Sequence, residues 1–425
     1  MRKSNEVERH ALRDAFLAVR HGTERLCEPL ETEDFVVQTM PEVSPTKWHL
    51  AHTSWFFETF VLGAGLPGYS AIDGRYAYIF NSYYHSAGDR HPQPQRGTLS
   101  RPTVHEVFDY RRHVDRGMQR LFADSSQREM EDLAFVIELG INHEEQHQEL
   151  ILTDIKHVLA ANPLEPAYRA AGSLESGGTA APVRWIAFNG GLIDIGHAGT
   201  GFAFDNELPR HRVYLRPFEL ADRLVSCGEY LSFIQDRGYE RSELWLSDGW
   251  DIAQRSGWRA PLYWKQSAGA WQLFSLYGSR KIDPSEPVCH VSYYEADAFA
   301  RWAGSRLPLE EEWELASTAT PVEGNLLEAG HLHPIGVGNR DQGRLKQLFG
   351  DVWEWTGSAY LPYPGFVPFM GGLGEYNGKF MSNKMVLRGG SCVTPRRHIR
   401  ATYRNFFAPD ARWQFSGIRL ARSAA

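Results

Sequence analysis

The decapeptide INHEEQHQEL at residues 141–150 carries the most informative pattern in this chain, because it places two histidines four positions apart. Residues at i and i+4 lie on one face of an α-helix, with Cβ atoms about 6 Å apart. His143 and His147 therefore point the same way if the stretch is helical, and both imidazoles can reach one metal ion. Apolar residues around them recur at helical spacing, so we predict a helix over about 130–160 with both histidines on its buried stripe.

The residues before this helix predict a bundle. A first helix is indicated at about 6–30, and a second begins at Ser44, an N-cap followed by Pro45 at the first helical position. A third begins with a capping box at residues 103–106. Four helices of this kind favour a four-helix bundle, which holds metals with inward side chains from facing helices. The irregular stretch 69–102 between them is typical of a functional loop.

The second predicted helix offers a third histidine. His52 falls on the aromatic stripe of that helix, which makes it the favoured partner of His143 and His147. His49 lies one turn earlier and is an alternative ligand, and His85 is a weaker one. Imidazole ligands alone suit zinc, iron or copper, so the ligand set does not choose the metal.

A different interpretation of the same stretch is a zinc peptidase, because residues 143–147 match the pattern HExxH. Such an enzyme needs a later ligand, and Glu165 is the only glutamate near the required distance. Pro163 and Pro166 flank Glu165 and would break the helix on which it should lie. The peptidase therefore stays a minor alternative, as does a non-enzymatic metal-binding protein.

Composition limits the classes of partner. The chain has 425 residues and a net charge of −7, and its isoelectric point is near 6.2, which gives no electrostatic reason for binding nucleic acid or anionic membranes. No apolar run approaches the ~18 residues of a membrane span, and the N-terminal residues lack the apolar core of a secretory signal. We expect a cytoplasmic protein. The four cysteines are scattered, so no disulfide framework is expected.

The character of the sequence changes after the bundle. Residues 163–182 are rich in small residues and predict a linker between a helical domain at 1–162 and a second domain at 183–425. Short apolar runs with many glycines and tryptophans favour an α+β domain there. Capping boxes at 226–229 and 292–295 predict two short helices within it.

Four strings in this second domain carry a family resemblance: RLPLEEEWELA at 306–316, LFGDVWEWT at 348–356, VLRGGSC at 386–392 and FSGIRL at 415–420. They resemble the formylglycine-generating or sulfatase-modifying domain, which implies a C-type-lectin-like fold. Cys392 stands alone where the copper-dependent member has a cysteine pair, so formylglycine generation is not expected. With WHLAH at 48–52 and the histidine run, the first domain resembles the DinB-like bundle. The combination is similar to the ergothioneine-biosynthesis sulfoxide synthases.

That resemblance implies a non-haem Fe(II) held by His52, His143 and His147. It also implies the O2-dependent coupling of a thiol to the imidazole C2 of Nα-trimethyl-histidine (hercynine), with a sulfoxide as product. By the same resemblance, Gln146 faces the hercynine imidazole and Asn405 lies near its trimethylammonium group. A quaternary ammonium favours aromatic neighbours, for which the sequence offers Phe406, Phe407, Trp413 and Phe415.

The thiol donor is predicted from one departure from the family pattern. Members that use γ-glutamylcysteine have an aspartate where this chain has Phe407, so free L-cysteine is favoured. γ-Glutamylcysteine and an ovothiol-type coupling of histidine with cysteine remain alternatives. The cysteine carboxylate needs a guanidinium, and Arg90 and Arg96 in the irregular stretch are the candidates.

The reaction also needs a proton donor that prevents simple oxidation of the thiol. Tyr83 and Tyr84 are the predicted catalytic residues, since adjacent positions on an irregular loop present at least one phenol to the metal. Tyr376 is the rival, because the γ-glutamylcysteine enzymes place their tyrosine in the second domain. The expected partners are the small molecules hercynine, cysteine and O2, and the sequence gives no indication of the oligomeric state.

Overall fold

The computed structural model describes residues 2–170, 180–267, 269–337 and 344–424. The chain forms two compact units. The first comprises Met1–Pro163 together with Phe369–Tyr376, and the second comprises Leu164–Pro368 and Asn377–Ala425. Most of the glycine- and alanine-rich part of the predicted linker, residues 171–179, lies outside the described residues. The segment Phe369–Tyr376 belongs to the first unit although the sequence places it in the second half of the chain.

The first unit contains the four long helices that the sequence predicts. They are α1 (Arg2–Cys27), α2 (Thr46–Phe57), α3 (Val104–Asp124) and α4 (Gln127–Ala161). The predicted capping box closes the start of α3, where the Thr103 hydroxyl accepts from the Glu106 amide at 3.2 Å. A second box, formed by Ser126 and Glu129, starts α4 three residues before the predicted position. Helix α1 packs along α4, and α2 packs against both α3 and α4.

Helix α2 begins one residue later than predicted, and Ser44 is not its N-cap. The Ser44 amide donates to the Asp154 carboxylate at 2.8 Å, and its hydroxyl accepts from the Arg96 guanidinium at 2.8 Å. These tertiary contacts take the place of the capping bond. Every residue of α2 is buried, so the expected distinction between a buried stripe and an exposed face does not exist in this helix.

The connection from α2 to α3 is irregular, as predicted, but it contains short helical pieces. A π-helical stretch (Glu58–Leu62) continues α2, and a single helical turn follows at Tyr76–Ile79. Two 3₁₀ turns lie at His85–Ala87 and Gln93–Thr98. The backbone carbonyl of Phe80, at the end of the Tyr76–Ile79 turn, faces α2 and contacts His52.

The second unit is an α+β structure of short elements. Its strands are β1 (Trp185–Phe188), β2 (Gly191–Ile195), β3 (His211–Leu215), β4 (Phe218–Ala221), β5 (Trp264–Ser267), β6 (Ala270–Ser275), β7 (Gly278–Lys281), β8 (Trp353–Ala359), β9 (Met385–Arg388), β10 (Asn405–Phe407), β11 (Ser416–Gly417) and β12 (Ala421–Ser423). Its longer helices are α5 (Cys227–Gln235), α6 (Ser247–Arg255), α7 (Tyr293–Trp302) and α8 (Glu310–Ser317). The predicted capping boxes start α5 and α7.

These strands form small sheets. Strand β4 pairs with β1 and β12 in an antiparallel sheet, and β5, β6 and β7 form an antiparallel meander. Strands β2 and β3 form a ribbon. In the sheet ordered β10-β9-β8-β11, only the β8–β11 pair is parallel. None of the helices in the described part of the chain has both the length and the apolar composition needed to cross a lipid bilayer.

The strings that carry the family resemblance build the interior of this unit. Arg419 holds both carboxylate oxygens of Glu354 at 2.8 Å, and Trp313 donates its indole N–H to the same carboxylate at 2.9 Å. Arg388 pairs with Glu314 at 2.9 Å. All five side chains are buried. The charged residues of these strings are therefore paired inside the core of the unit.

Candidate metal centre

Three buried histidines from two helices converge in the first unit. His52 comes from α2, and His143 and His147 come from successive turns of α4. The Nε2 atom of His143 lies 3.2 Å from Nε2 of His52 and 3.1 Å from Nε2 of His147. One ligand atom from each of the three residues lies within 4.8 Å of the others. The structure thus brings together the three histidines that the sequence favours as ligands.

The ring of His52 is held between two indoles. It stacks on Trp48 with a centroid distance of 4.6 Å and an interplanar angle of 13°, and on Trp55 with 5.5 Å and 15°. Its Nδ1 lies 2.6 Å from the backbone oxygen of Phe80. A carbonyl oxygen only accepts, so the proton of a neutral His52 is on Nδ1 and the lone pair on Nε2 faces the cluster.

His49, the alternative ligand, lies behind His147. Its Nδ1 is 2.8 Å from Nδ1 of His147, and its Nε2 is 3.0 Å from the Asp154 carboxylate. A carboxylate behind a histidine is a common way in which proteins orient metal-binding imidazoles. His85, the weaker alternative, lies on the exposed loop and its amide binds Glu375.

The electrostatics of the cluster fit a cation. Burial lowers the pKa of His143 to about 3, and burial with the neighbouring histidines lowers the pKa of His52 and His147 well below the ordinary value. All three rings are therefore neutral near pH 7. With the proton of His52 on Nδ1, its Nε2 lone pair faces Nε2 of His143 at 3.2 Å, in a position where it can bind a cation held between the rings. Three neutral, buried imidazoles fit a first-row divalent metal and leave coordination positions for other ligands.

Glu144, the acidic residue of the HExxH pattern, faces away from the histidines. Its carboxylate accepts from Arg20 at 2.9 Å, from Thr23 at 2.7 Å and from Arg111 at 2.5 Å. These partners hold the pKa of Glu144 at about 2 although the side chain is fully buried. A carboxylate bound to two guanidinium groups cannot act as the general base of a zinc peptidase, which argues against that alternative.

The three candidate tyrosines form a line of ring contacts. Tyr376 meets His143 edge-on at 5.6 Å between ring centroids, and Tyr83 meets Tyr376 at 6.0 Å. Tyr83 in turn stacks on Tyr84 at 4.8 Å. Tyr84 is fully buried against Trp55 and other aromatic rings, and burial raises its pKa well above the ordinary value. Tyr376 thus contacts a histidine of the cluster directly.

The segment Phe369–Tyr376 is attached to the first unit at several points. Glu375 accepts from the backbone amides of His85 at 2.9 Å and Ser86 at 2.8 Å. The ring of Phe369 contacts Phe135 of α4 at 5.0 Å. Gly372 approaches Ser86 so closely that a Cβ there would lie 2.5 Å from the serine hydroxyl. These contacts position Tyr376.

The two candidate arginines differ in their surroundings. Arg96 is buried, its guanidinium lies 3.3 Å from the centre of the Trp48 ring, and it donates to Ser44. Burial lowers the pKa of Arg96 to about 9, and its charge contributes to the lowered pKa of His52 and His147. No carboxylate lies within ion-pair distance of Arg96 among the residues that the structure describes. Arg90 is exposed and donates to the carbonyl of Ser82.

The remaining candidates lie on α4, on strand β10 and in the segment between β10 and β11. Gln146 is half-buried on α4, one residue before His147. Asn405, Phe406 and Phe407 form the half-buried strand β10 of the second unit. Phe406 stacks on Tyr360 at 4.1 Å, and Phe407 meets Trp413 edge-on at 5.8 Å. Phe415 is fully buried against His290, so it belongs to the core of that unit.

Two supporting residues were not predicted. Asp154 lies seven residues after His147 on α4, a spacing that returns to the same helix face, so the sequence did contain a signal for it. Glu375 helps to position Tyr376 by accepting from the amides of residues 85 and 86, which are distant in sequence. No local sequence pattern around Glu375 indicates this contact.

Comparisons with known proteins agree with this architecture. Residues 15–151 match the model of the DinB superfamily, and residues 179–344 and 326–424 match that of the sulfatase-modifying factor enzyme 1-like domain. The predicted fold class, a DinB-like helical bundle followed by a sheet-containing domain of the sulfatase-modifying type, is therefore confirmed.

Several curated relatives span one or both parts. Hercynine oxygenase from Mycobacterium tuberculosis is 32% identical over 434 residues, which cover 95% of this chain and 96% of that protein. Hercynine oxygenase from Mycolicibacterium smegmatis is 29% identical, with 98% and 99% covered. The formylglycine-generating enzyme from Streptomyces coelicolor is 28% identical over 56% of this chain and 89% of that protein. The chain is thus similar to the two hercynine oxygenases over nearly its whole length, and to the formylglycine-generating enzyme over only 56% of it.

Proposed function

Because the chain belongs to the hercynine oxygenase family, we propose that it couples hercynine to L-cysteine with O2 to give hercynylcysteine sulfoxide, a step of ergothioneine biosynthesis. In this reaction the C2–H bond of the imidazole and the S–H bond of cysteine break, and a C–S bond and an S–O bond form. One oxygen atom of O2 enters the sulfoxide, and the other leaves as water with the two hydrogens. The observation that carries the proposal is the buried cluster of three neutral histidines in a chain of this family.

We propose Fe(II) as the metal, held by Nε2 of His52, His143 and His147. Bound there, the ion would supply the redox chemistry of the coupling, and three histidine ligands would leave positions on it for other ligands. The protein supplies orientation, since holding both substrates at one site converts a bimolecular coupling into a nearly intramolecular one. Gln146 is the proposed contact of the hercynine imidazole. Asn405, with Phe406 and Phe407, is proposed for its trimethylammonium group.

Arg96 is the proposed binding group for the cysteine carboxylate. A buried guanidinium without an ion-pair partner in the described structure is costly, and a carboxylate that binds it relieves that cost. The guanidinium lies 3.3 Å from the centre of the Trp48 ring, which itself stacks on His52 at 4.6 Å. Arg90 is proposed as a second, weaker contact, because it is solvent-exposed and occupied by the Ser82 carbonyl.

We propose Tyr376 as the proton donor of the coupling, with Tyr83 as its neighbour. The ring contact between Tyr376 and His143 favours this residue over Tyr84, which lies one layer behind Tyr83. A phenol beside the reacting atoms can deliver a proton at the point where O2 would otherwise oxidise the thiol alone.

The test is a product analysis with the purified full chain. Protein loaded anaerobically with Fe(II) is mixed with hercynine, cysteine and O2, and products are identified by mass spectrometry. Parallel reactions contain γ-glutamylcysteine in place of cysteine, or histidine in place of hercynine. We expect the sulfoxide from hercynine and cysteine, and none from His147→Ala. Consumption of O2 without a C–S product from any pair contradicts the proposal, and a preference for γ-glutamylcysteine or histidine corrects the substrate.

A further inference from the structure

A buried chain of hydrogen bonds runs from the histidine cluster to a carboxylate at the far side of His49. It consists of His147, His49 and Asp154, with contacts of 2.8 Å between the two Nδ1 atoms and 3.0 Å between His49 Nε2 and the Asp154 carboxylate. All three side chains are less than a tenth exposed. We infer that His49 and Asp154 are positioning residues that fix the orientation and the tautomer of His147 for metal binding. The inference rests on the metal centre of the proposed function.

The direction of each hydrogen bond follows from the acceptor at the end of the chain. The carboxylate of Asp154 accepts, so Nε2 of His49 donates to it. In the tautomer with its proton on Nε2, His49 has a lone pair on Nδ1 and accepts from Nδ1 of His147. The proton of His147 is thereby held on Nδ1, and its Nε2 lone pair faces the Nε2 atoms of His143 and His52. The opposite arrangement would put a proton on Nε2 of His147, between the histidines, where a metal must bind.

The carboxylate itself is anchored by the backbone. Asp154 also accepts from the amide of Ser44 at 2.8 Å, at the entry to α2, and it is the acidic group whose charge favours the cationic form of buried Arg96. Asp154 therefore joins the helix that carries His147 to the start of the helix that carries His52. A rigid second layer of this kind typically improves metal affinity 10- to 100-fold.

The experiment measures metal affinity without any organic substrate. Full-length protein is titrated anaerobically with Co(II), whose visible absorption bands report the coordination geometry, and the result is repeated with Fe(II) against a competing chelator. The variants are His49→Phe, Asp154→Leu, their double variant and Asp154→Asn. Asp132→Asn, which removes an exposed acid from the same helix, is the matched control.

We expect His49→Phe and Asp154→Leu each to raise the apparent Kd for Co(II) by about 10- to 100-fold. The double variant should be no weaker than His49→Phe alone, because both changes interrupt the same chain. Asp154→Asn keeps an oxygen acceptor for His49 and should give a smaller loss, and Asp132→Asn should give none. Thermal unfolding of the metal-free proteins separates the two causes. A variant that only misorients His147 keeps its unfolding temperature, whereas a variant that loses packing unfolds at a lower temperature.

Unchanged Co(II) affinity and unchanged absorption bands in the folded His49→Phe and Asp154→Leu variants would overturn the inference. So would losses that add in the double variant, because these would indicate two unrelated packing defects. The result is separate from that of the product analysis. If the affinities change as expected but no C–S product forms, the positioning role stands and the proposed reaction fails.

Discussion

At the scale of single residues, the metal centre depends on which helix face carries each side chain. Helical spacing alone predicts that His143 and His147 point the same way, and the aromatic stripe predicts His52. In the structure Nε2 of His52 lies beside Nε2 of His143, whereas His49 lies behind His147, although every residue of α2 is buried. Tyr376 could not be ranked from the sequence, since its contact with His143 joins distant parts of the chain.

The first prediction concerns the tyrosines. Tyr376→Phe should lower C–S bond formation by about 100-fold or more and divert turnover to cysteine sulfinate, because the proton donor is lost. Tyr84→Phe, in its aromatic surroundings, should change the ratio of products little, and Tyr83→Phe should lie between them. Product ratios by mass spectrometry at saturating substrates decide this. Diversion by Tyr84→Phe together with an unchanged ratio in Tyr376→Phe would assign the role to Tyr84.

A second prediction separates recognition of the cysteine carboxylate from packing. Arg96→Met should lower kcat/KM for cysteine by about 10- to 100-fold, the value of a lost charged hydrogen bond. The coupling of cysteamine, which has no carboxylate, should not change. Arg90→Met is the matched control and should have a smaller effect. An equal loss with both thiols would mean that Arg96 acts only by supporting Trp48 and the rings beside it.

At the scale of elements, α4 uses two faces for different purposes. One face carries His143 and His147, and the other carries Glu144 in a buried ion-pair network with Arg20 and Arg111. The sequence pattern HExxH is therefore present without the peptidase geometry, since the glutamate has been taken into the core. A residue pattern fixes spacing along the helix, whereas the neighbouring helices decide what each face meets.

Removing the carboxylate from this network should destabilise the bundle. Glu144→Gln removes the fully buried carboxylate that Arg20 and Arg111 share and leaves them only the more exposed Asp115 and Glu24, so we expect the free energy of unfolding to fall by about 3 kcal/mol. Asp109→Asn, which breaks an exposed pair with Arg112, should cost less than about 1 kcal/mol. Urea unfolding of the metal-free proteins measures both. Similar small losses in the two variants would show that the buried network adds little.

The segment Phe369–Tyr376 gives a further prediction at this scale. Glu375→Gln leaves only one oxygen for the two amides of residues 85 and 86, so Tyr376 should lose its position. The product ratio should shift in the same direction as in Tyr376→Phe, and the double variant should be no worse than Tyr376→Phe. Met370→Ala, at a residue that is 92% exposed, should leave the ratio unchanged. A wild-type ratio in Glu375→Gln would show that the carboxylate is dispensable.

At the scale of the whole molecule, the division into a helical bundle and an α+β part was predictable, because periodicity and composition both change near residue 163. The second unit was predictable in class from its short apolar runs. Its sheets were not, since they join strands distant in sequence, such as β4 with β12. The sequence also did not indicate that its most recognisable strings would be buried ion pairs. Charged residues normally lie at the surface, so the sequence suggests exposure for them. Their burial becomes evident only when the structure shows the oppositely charged side chain with which each is paired.

Asp351, in the string at residues 348–356, gives a prediction of how stability depends on pH. Burial raises the pKa of Asp351 to about 6 from its ordinary 3.8, so the folded chain binds this proton more tightly than the unfolded chain. The proton on Asp351 therefore stabilises the folded chain fully below about pH 4. This stabilisation is lost as the pH rises from about 4 to 6, and the free energy of unfolding is then lower by about 3 kcal/mol. Asp351→Asn, at a left-handed position that asparagine tolerates, should remove this difference. Urea unfolding of both proteins between pH 4 and 7 tests it. Parallel curves would exclude the raised pKa.

The eight residues Phe369–Tyr376 also bear on how such enzymes can be recombined. A chimera that replaces residues 1–163 with those of a relative keeps Tyr376 and Glu375 from the original parent. The new bundle then has to pack against a segment 369–376 that comes from a different protein. Residues 1–163 and 369–376, which are distant in the gene, therefore have to come from the same parent for the first unit to keep its native contacts. A crossover between residues 151 and 179, where one matched family region ends and the next begins, would separate Phe369–Tyr376 from the rest of the unit to which it belongs.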